Sequence, residues 1–567
     1  MDFSKFRHES DSRYCFSIAP NEVLVRFAIA KDIHLDKAFL LYGDTSTFVK
    51  KQTRIRMERK HEDEFFFYYE ATMSSSIPRF FYIFHVIENG CDFFLSESGV
   101  SPSYMFNLAF LSAYQYIGEN RNDFSLPSPS WQGRLVYQVF PERFACRGNP
   151  QEKKYVNEPW DKPNLKGNHR AFLGGDLLGL CDKLDYLASL GVGVLYMTPI
   201  HPSLSNHKYD VLDYFDVDPS FGGKEALRNL VEKAHSLGIK VMMDLVFNHM
   251  SSEHPFFKDV REKGRASAYW DWFFIDGDKP TAHPLNYRCF SFVSSMPKLD
   301  TNNPKVRNYL ISVGKFWVEE FHVDGFRLDV AEGVSHDFWI RFKIALKDID
   351  PDIILIGENW HNSESYLGPD QLDGVMNYPF LSVVSGYVLG ITDVETTRMR
   401  LEGLLLRYKD GQNHMMLNIL SSHDIQRVMN LCKKDKDLVL LAYAMQMLHP
   451  GFPMVYYGEE VFMEGGADPD NRRGMEWNKA EAPDYYVNTF RSLMLLRQHE
   501  ELRRGETKIE NAGGLLKITR QIGEACIALY LNRSEGALAL PKAGEELLSN
   551  RSAGGRVYPK GFLVQKE

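Results

Sequence analysis

The chain has 567 residues, 44% hydrophobic and 25% charged, enough to bury large cores and typical of ordinary soluble domains. A net charge of −9 argues against nucleic acid or an anionic membrane surface as a partner. The seven cysteines (Cys15, Cys91, Cys146, Cys181, Cys289, Cys432 and Cys526) are odd in number and form no C-x-x-C pair, so neither a disulfide framework nor a thiolate zinc site is signalled.

The start, MDFSKFRHESDSR, has no apolar leader, and no apolar stretch approaches the length of a membrane span, so the expected setting is cytoplasmic. Residues 1–122 read as an N-terminal β-sandwich. Short β-branched or aromatic runs at residues 23–29, 38–42, 65–69 and 80–84 are separated by polar turns. A polar, proline-bearing stretch at 121–130 reads as a linker.

Beyond it, strand-like runs alternate with amphipathic helix patterns. The runs lie at 135–140, 193–197, 241–246, 323–328, 353–356, 374–377, 416–420 and 453–457. Helix patterns include 224–237 and 308–321. Eight such β/α units are what a TIM barrel requires, which makes the fold class α/β, with residues 123–500 as a (β/α)8 barrel. The gap at 250–303 is too long for a plain βα loop and rich in aromatics, so it reads as a subdomain inserted after strand three. Residues 501–567 turn β-like again and read as a C-terminal β-domain.

Acid–base residues end four of the barrel runs: Asp244, Asn248 and His249 after the third, Arg327 and Asp329 at the fourth, Glu358 after the fifth, His423 and Asp424 after the seventh. A parallel barrel gathers the C-terminal ends of its strands on one face. Arg327 and Asp329 alternate onto the same side of their strand, and an arginine keeps a neighbouring carboxylate ionised and oriented. Glu358 follows an apolar run beside other acids, which suits a proton donor. Each pair alone has a structural reading, as a salt bridge or a loop residue. Together, three carboxylates on one face match glycosidic-bond cleavage, in which a nucleophile and a proton donor stand about 5–5.5 Å apart when configuration is retained.

The segments that carry these residues resemble the α-amylase family of glycoside hydrolases, family thirteen: DLVFNH (244–249), GFRLDVAEG (325–333), IGENWH (356–361) and SSHDIQR (421–427), with GFPMVYYGEE (451–460) in support. MPKL before strand four, ENWH after strand five and GGADPDNRRGMEW (465–477) after strand eight resemble the cyclomaltodextrinase, neopullulanase and maltogenic amylase subgroup. The resemblance implies a retaining hydrolase of α-1,4-glucosidic bonds in cyclomaltodextrins, malto-oligosaccharides, pullulan or starch. Asp329 would be nucleophile, Glu358 general acid/base and Asp424 transition-state stabiliser. Tyr209, His207, Asp244, His249, Arg327, Trp360, His423 and Arg472 would contact substrate. The N-terminal domain would be a starch-binding-like module through which two copies form a homodimer. The alternatives on the same fold are a transglycosylase, an α-1,6-glucosidase, and an inactive carbohydrate-binding scaffold.

The sequence departs from the subgroup at four places. Glu332-Gly333 stand where the subgroup reads Asn-Glu, on the acceptor side. MPKLD replaces MPKLN. Asn471 and Gly474 replace a Cys and a Pro. In the loop after strand one, Arg147 and Lys153-Lys154 intrude among the expected calcium ligands, leaving Asn149, Gly174 and Asp176. Calcium takes about six to eight oxygens, so the expectation is that no cofactor is required.

Overall fold

The computed structural model describes residues 2–74, 79–118, 128–165 and 169–567. It separates into two compact units, Met1–Pro127 with Glu395–Asn413, and Ser128–Val394 with His414–Glu567. Most of the expected linker, 121–127, lies outside the described residues.

In the first unit, ten antiparallel strands form one continuous sheet. The strand Thr53–Glu62 turns a corner: its first half pairs with Lys37–Asp44 and its second, from Glu58 on and with a bulge at Arg59/His61, with Phe66–Ser74. The two halves thereby face each other. The alternating residues Val23, Val25, Phe27 and Ile29 meet Phe80, Tyr82, Phe84 and Val86 in one core. The segment from residue 395 joins this unit through charge: Arg398 pairs with Glu62 at 2.6 Å, and the buried Arg26 with Asp410 at 3.2 Å.

The second unit holds a closed barrel of eight parallel strands. They are β1 (Val136–Val139), β2 (Val194–Met197), β3 (Lys240–Leu245), β4 (Gly325–Leu328), β5 (Ile354–Gly357), β6 (Gly374–Asn377), β7 (Leu417–Asn418) and β8 (Phe452–Tyr456). Val136 of β1 pairs with Met454 of β8 and closes the ring. Val194, Tyr196, Met242, Ile356, Met376 and Met454 pack in its interior, where Trp131 joins them with its indole N–H on the Asp352 carbonyl at 2.8 Å.

The outer helices follow the apolar patterning. Gly223–Ser236 buries Ala226, Leu227, Leu230, Val231 and Ala234. The helix expected from 308 begins earlier, at Pro304, because Asn303 caps it and proline is pre-set for the first helical position. The insertion after β3 has a helix, Pro255–Lys263, and packs Phe257 against Phe273 and Tyr287 at 4.9 and 5.1 Å. A six-stranded antiparallel sheet, from Glu506 to Lys566, ends the chain.

Gly325 opens the strand that carries the acid–base pair. A Cβ there would stand 2.4 Å from Ile354 Cγ2 and 2.9 Å from the Ile354 carbonyl. Gly325→Ala is expected to destabilise the barrel by about 1–3 kcal/mol, the usual cost of overpacking. Thermal inactivation measures it, against Gly536→Ala, whose added methyl meets nothing within 4 Å, as the neutral control.

Candidate active site

Strand register assembles the first half of the site. Asp244 on β3 lies opposite Arg327 on β4, and Arg327 lies opposite Ile356 on β5. Two residues further on, the ladder continues through Asp329 N–H on the Leu245 carbonyl (3.0 Å) and Glu358 N–H on the Leu328 carbonyl (2.9 Å). Three acids from neighbouring strands therefore surround one guanidinium. Arg327 Nη1 reaches both Asp244 oxygens at 3.0 Å and Asp329 Oδ1 at 2.9 Å, and Nη2 lies 3.0 Å from Glu358 Oε2. The arginine side chain is 0% exposed. Tyr196 and Tyr209 donate their hydroxyls to Asp244 Oδ2 at 2.8 and 2.9 Å.

Just past Asp329, Val330 adopts φ +44°, a conformation that β-branched residues avoid. The twist delivers its N–H to Glu358 Oε2 at 3.0 Å, while the Trp360 indole donates to Oε1 at 3.1 Å. Both oxygens of Glu358 are held, and backbone strain sits where the geometry is most constrained.

The turn after β7 supplies the other half. The Gln138 amide donates to His423 Nδ1 (2.9 Å), which leaves the ring proton on Nε2, facing the Tyr209 hydroxyl at 2.6 Å and Asp424 Oδ2 at 3.2 Å. The Tyr209 and His423 rings stack at 5.4 Å. Burial, with Arg472 and Arg327 nearby, holds His423 well below its usual range, so it is a neutral donor. Arg472 donates to the His423 carbonyl (2.8 Å) and lies 3.4 Å from Asp424 Oδ1. Asn471, which the sequence marks only as a departure, directs its amide at the carbonyls of Ser422, His423 and Ile425 at 3.0, 2.8 and 2.9 Å. Gly474 is explained by contact too: a Cβ there would meet the Trp160 backbone oxygen at 2.8 Å.

These groups border a cleft of about 480 Å³. Asp329, Glu358, Asp424, Tyr209, His207, His249, Trp360 and Arg472 line it. Asp244, Arg327 and His423, which the sequence also assigns to substrate, are almost fully buried and are not among the lining residues. They reach the cleft through the groups they hold. His249 stacks on Phe290 at 5.1 Å, and its Nε2 has no partner among the described residues. Burial, then Lys298, pushes this imidazole down to about 3. His207 accepts the Tyr209 N–H on Nδ1 at 3.1 Å, with the Ser205 hydroxyl oxygen at the same distance. Trp360 lies flat on Tyr378 at 3.9 Å. Sequence reasoning missed Phe290, Met296 and Asp468 as cleft residues. Phe290 was visible only as one of many aromatics in the insertion, and Asp468 only as part of a loop motif.

Charge is in short supply. Asp244, Asp329, Glu358 and Asp424 make four acids against the two cations Arg327 and Arg472. Burial pushes the Asp329 carboxyl up, Arg327 opposes this, and Glu358, Asp244 and Asp424 push it further up. Burial likewise raises Asp244 to about 6, against the pull of Arg327. The arrangement can present one oriented carboxylate, one acid held at both oxygens, and neutral imidazoles to hydroxyl groups. That is the equipment for cleaving an acetal bond between sugars.

The three residues left for calcium do not form a dication site. Lys153 Nζ bonds the Gly174 carbonyl at 2.7 Å and also Asp176 Oδ2. The Asn149 side-chain oxygen is turned to the Gln151 N–H at 3.0 Å. The donor set holds an ammonium and does not fit calcium.

A family model described as the alpha amylase catalytic domain matches residues 138–513, and one described as the alpha amylase N-terminal ig-like domain matches residues 1–116. The chain is 35% identical over 559 residues to a maltogenic alpha-amylase of Bacillus acidopullulyticus, covering 96% of this chain and 94% of that one. It is 36% identical over 539 residues to a cyclomaltodextrinase of Thermoanaerobacter pseudethanolicus, covering 93% and 92%. A solved cyclomaltodextrinase superposes with a TM-score of 0.90 at 30% identity, over 100% of both chains.

As pH falls through about 6, Asp244 takes a proton and no longer balances Arg327. The expected result is an acid limb in kcat/KM with an apparent pKa near that value, read from a pH–rate profile. Activity that stays flat well below it would show that the acid cluster remains charged. Asn471→Ala removes the shared donor of three buried carbonyls. A loss of about tenfold in kcat is expected, from roughly 1.4 kcal/mol of lost hydrogen bonding. Unchanged kcat would show that Arg472 alone fixes the turn that carries Asp424.

Proposed function

The chain belongs to the α-amylase family of glycoside hydrolases and is an α-glucan hydrolase; on that premise we propose that it cleaves α-1,4-glucosidic bonds with retention, acting on cyclomaltodextrins and short malto-oligosaccharides and more slowly on pullulan and starch. The observation that carries this reading is the Arg327 guanidinium, which meets Asp329 on one terminal nitrogen and Glu358 on the other. Asp329 attacks the anomeric carbon as Glu358 gives its proton to the departing glycosidic oxygen, and the bond electrons leave with that oxygen. A glycosyl ester on Asp329 results. Glu358, now ionised, takes a proton from water, whose oxygen attacks the anomeric carbon and frees the Asp329 carboxylate. Asp424 and Arg472 grip hydroxyls of the sugar being distorted, Tyr209 stacks on its ring, His249 donates to its hydroxyls, and His423 holds Tyr209 and Asp424 from below. Trp360 covers the acceptor sugar.

The chain works as a cytoplasmic homodimer through its N-terminal domain, in this reading. All seven cysteines are free, as a reducing compartment permits. Among the described residues no helix is long and apolar enough to cross a membrane.

A second reading, transfer to an acceptor sugar instead of water, is favoured by the segment after Asp329. A Cβ at Gly333 would lie 2.4 Å from Asn248 Oδ1, so a side chain there would have to displace Asn248, and the neighbouring Glu332 lines the cleft. Products from maltotriose, with and without added glucose, distinguish the two: dominant transfer products at low substrate would make the enzyme a transglycosylase, and α-1,6 products would identify the new linkage.

Asp329→Asn and Glu358→Gln are each expected to lower turnover by on the order of 10²–10⁴-fold while thermal unfolding stays near wild type. Across β-cyclodextrin, maltotriose, pullulan and starch, the wild type should prefer cyclodextrin to starch. Near-normal hydrolysis by either variant would overturn the mechanism. Maltodextrin binding with no reducing sugar released by the wild type would instead identify a scaffold.

A further inference from the structure

The loop after β1 is built around a cation that the chain itself provides. Asp176 caps the helix Leu177–Asp182: its Oδ1 accepts the Gly179 N–H at 2.5 Å and the Arg147 N–H at 3.4 Å. Its Oδ2 takes the Lys153 ammonium, with the Cys146 thiol at 3.9 Å, and that ammonium also takes the Gly174 carbonyl at 2.7 Å. That carbonyl is aimed deliberately. Gly174 sits at φ +94°, where a Cβ would meet Val156 Cγ2 at 2.6 Å. The buried Glu142 carboxylate accepts the N–H groups of both Leu173 and Gly174, at 2.5 and 2.7 Å. Lys153 itself is only 22% exposed and Asp176 8%. Arg147, the other basic intruder, turns away to Asp182 at 2.8 Å.

We propose that the ε-ammonium of Lys153 is the resident cation of this loop, in the position a calcium ion would take, and that the protein needs no metal for folding or activity. A calcium ion would have to sit about 2.3–2.6 Å from the same two oxygens and gather at least four more. The ammonium occupies that space, the Asn149 oxygen is committed to its own turn, and a second positive charge would face Lys153 across a single carboxylate. A tethered ammonium differs from an ion in one further way. Its occupancy does not depend on concentration, so the stability it contributes is constant where that of a bound ion rises with free ligand. The proposal concerns the fold of the loop and stands whether or not the assigned catalytic roles are correct.

The test uses the full-length protein in three arms. Melting temperature and kcat/KM of the wild type are measured in millimolar calcium chloride and in EDTA, and the metal content of the purified protein is determined. No shift and no stoichiometric calcium are expected. A rise of several degrees with calcium, a fall with EDTA, or one bound ion per chain would overturn the proposal. In the second arm, Lys153→Met strips the charged partner from Asp176 Oδ2 and the Gly174 carbonyl, and a melting temperature lowered by several degrees is expected. An unchanged value would also overturn the proposal. In the third arm, Lys153→Arg keeps the charge and should recover most of the loss. Equal damage from both substitutions would show that shape, not charge, matters here. If the methionine variant fails to fold, the wild-type calcium and EDTA comparison still decides.

Discussion

A buried guanidinium shared by three carboxylates is the contact around which this active site is arranged. Arg327 has no exposure to solvent, and an unpaired charge in that position would cost several kcal/mol. It is tolerable only because β3, β4 and β5 bring Asp244, Asp329 and Glu358 to the same nitrogens. The dependence runs both ways. Asp244 and Asp329 lie too deep to ionise freely, and Arg327 is what opposes burial at both. Strand register fixes this geometry, so the chemistry rests on backbone pairing that a one-residue slip would undo.

Around that centre the protein uses polar groups to hold loops, because loops at the end of a barrel have no ladder to hold them. Asn471 and Arg472 hold the carbonyls of the turn bearing His423 and Asp424. Lys298 reaches the Gly333 carbonyl at 2.6 Å and also Asn248 Oδ1, joining the segments after β3 and β4. Lys208 and Asp218, both buried, pair at 2.6 Å in the segment after β2 that carries Tyr209. Lys153 does the same after β1. Cationic side chains are thus a recurrent brace for the loops that follow the barrel strands, and Lys153 is the case in which, as we propose, the brace replaces a metal.

Much of this was readable from residue order. The eight strand runs fall on the eight barrel strands to within a few residues, because fully buried strands are written as short apolar runs bounded by turn residues. The helix at 223–236 is given directly by its apolar spacing. The candidate site residues were legible because acids and histidines at the ends of apolar runs are rare, and the familiar segments around them fixed their order. Phe290 and Asp468 were not legible: each sits in a long loop whose path follows from packing rather than from any local pattern. The role of Asn471 was hidden for the same reason, since its three acceptors are carbonyls more than forty residues away in the chain.

The sequence by itself determined the barrel, its flanking β-domains, the family and the set of acids available, since periodicity and local motifs are properties of neighbouring residues. Tertiary structure alone decided which of those residues face the cleft. Arg327, Asp244 and His423 proved to be buried supports, with Asp329, Glu358 and Asp424 exposed to the cleft, because strand ends far apart in the chain converge on one small volume. It also decided the cation of the β1 loop. Lysine at 153 reads in the sequence only as an intruder among metal ligands; the fold turns its ammonium onto the Gly174 and Asp176 oxygens, where a charge of that sign is required.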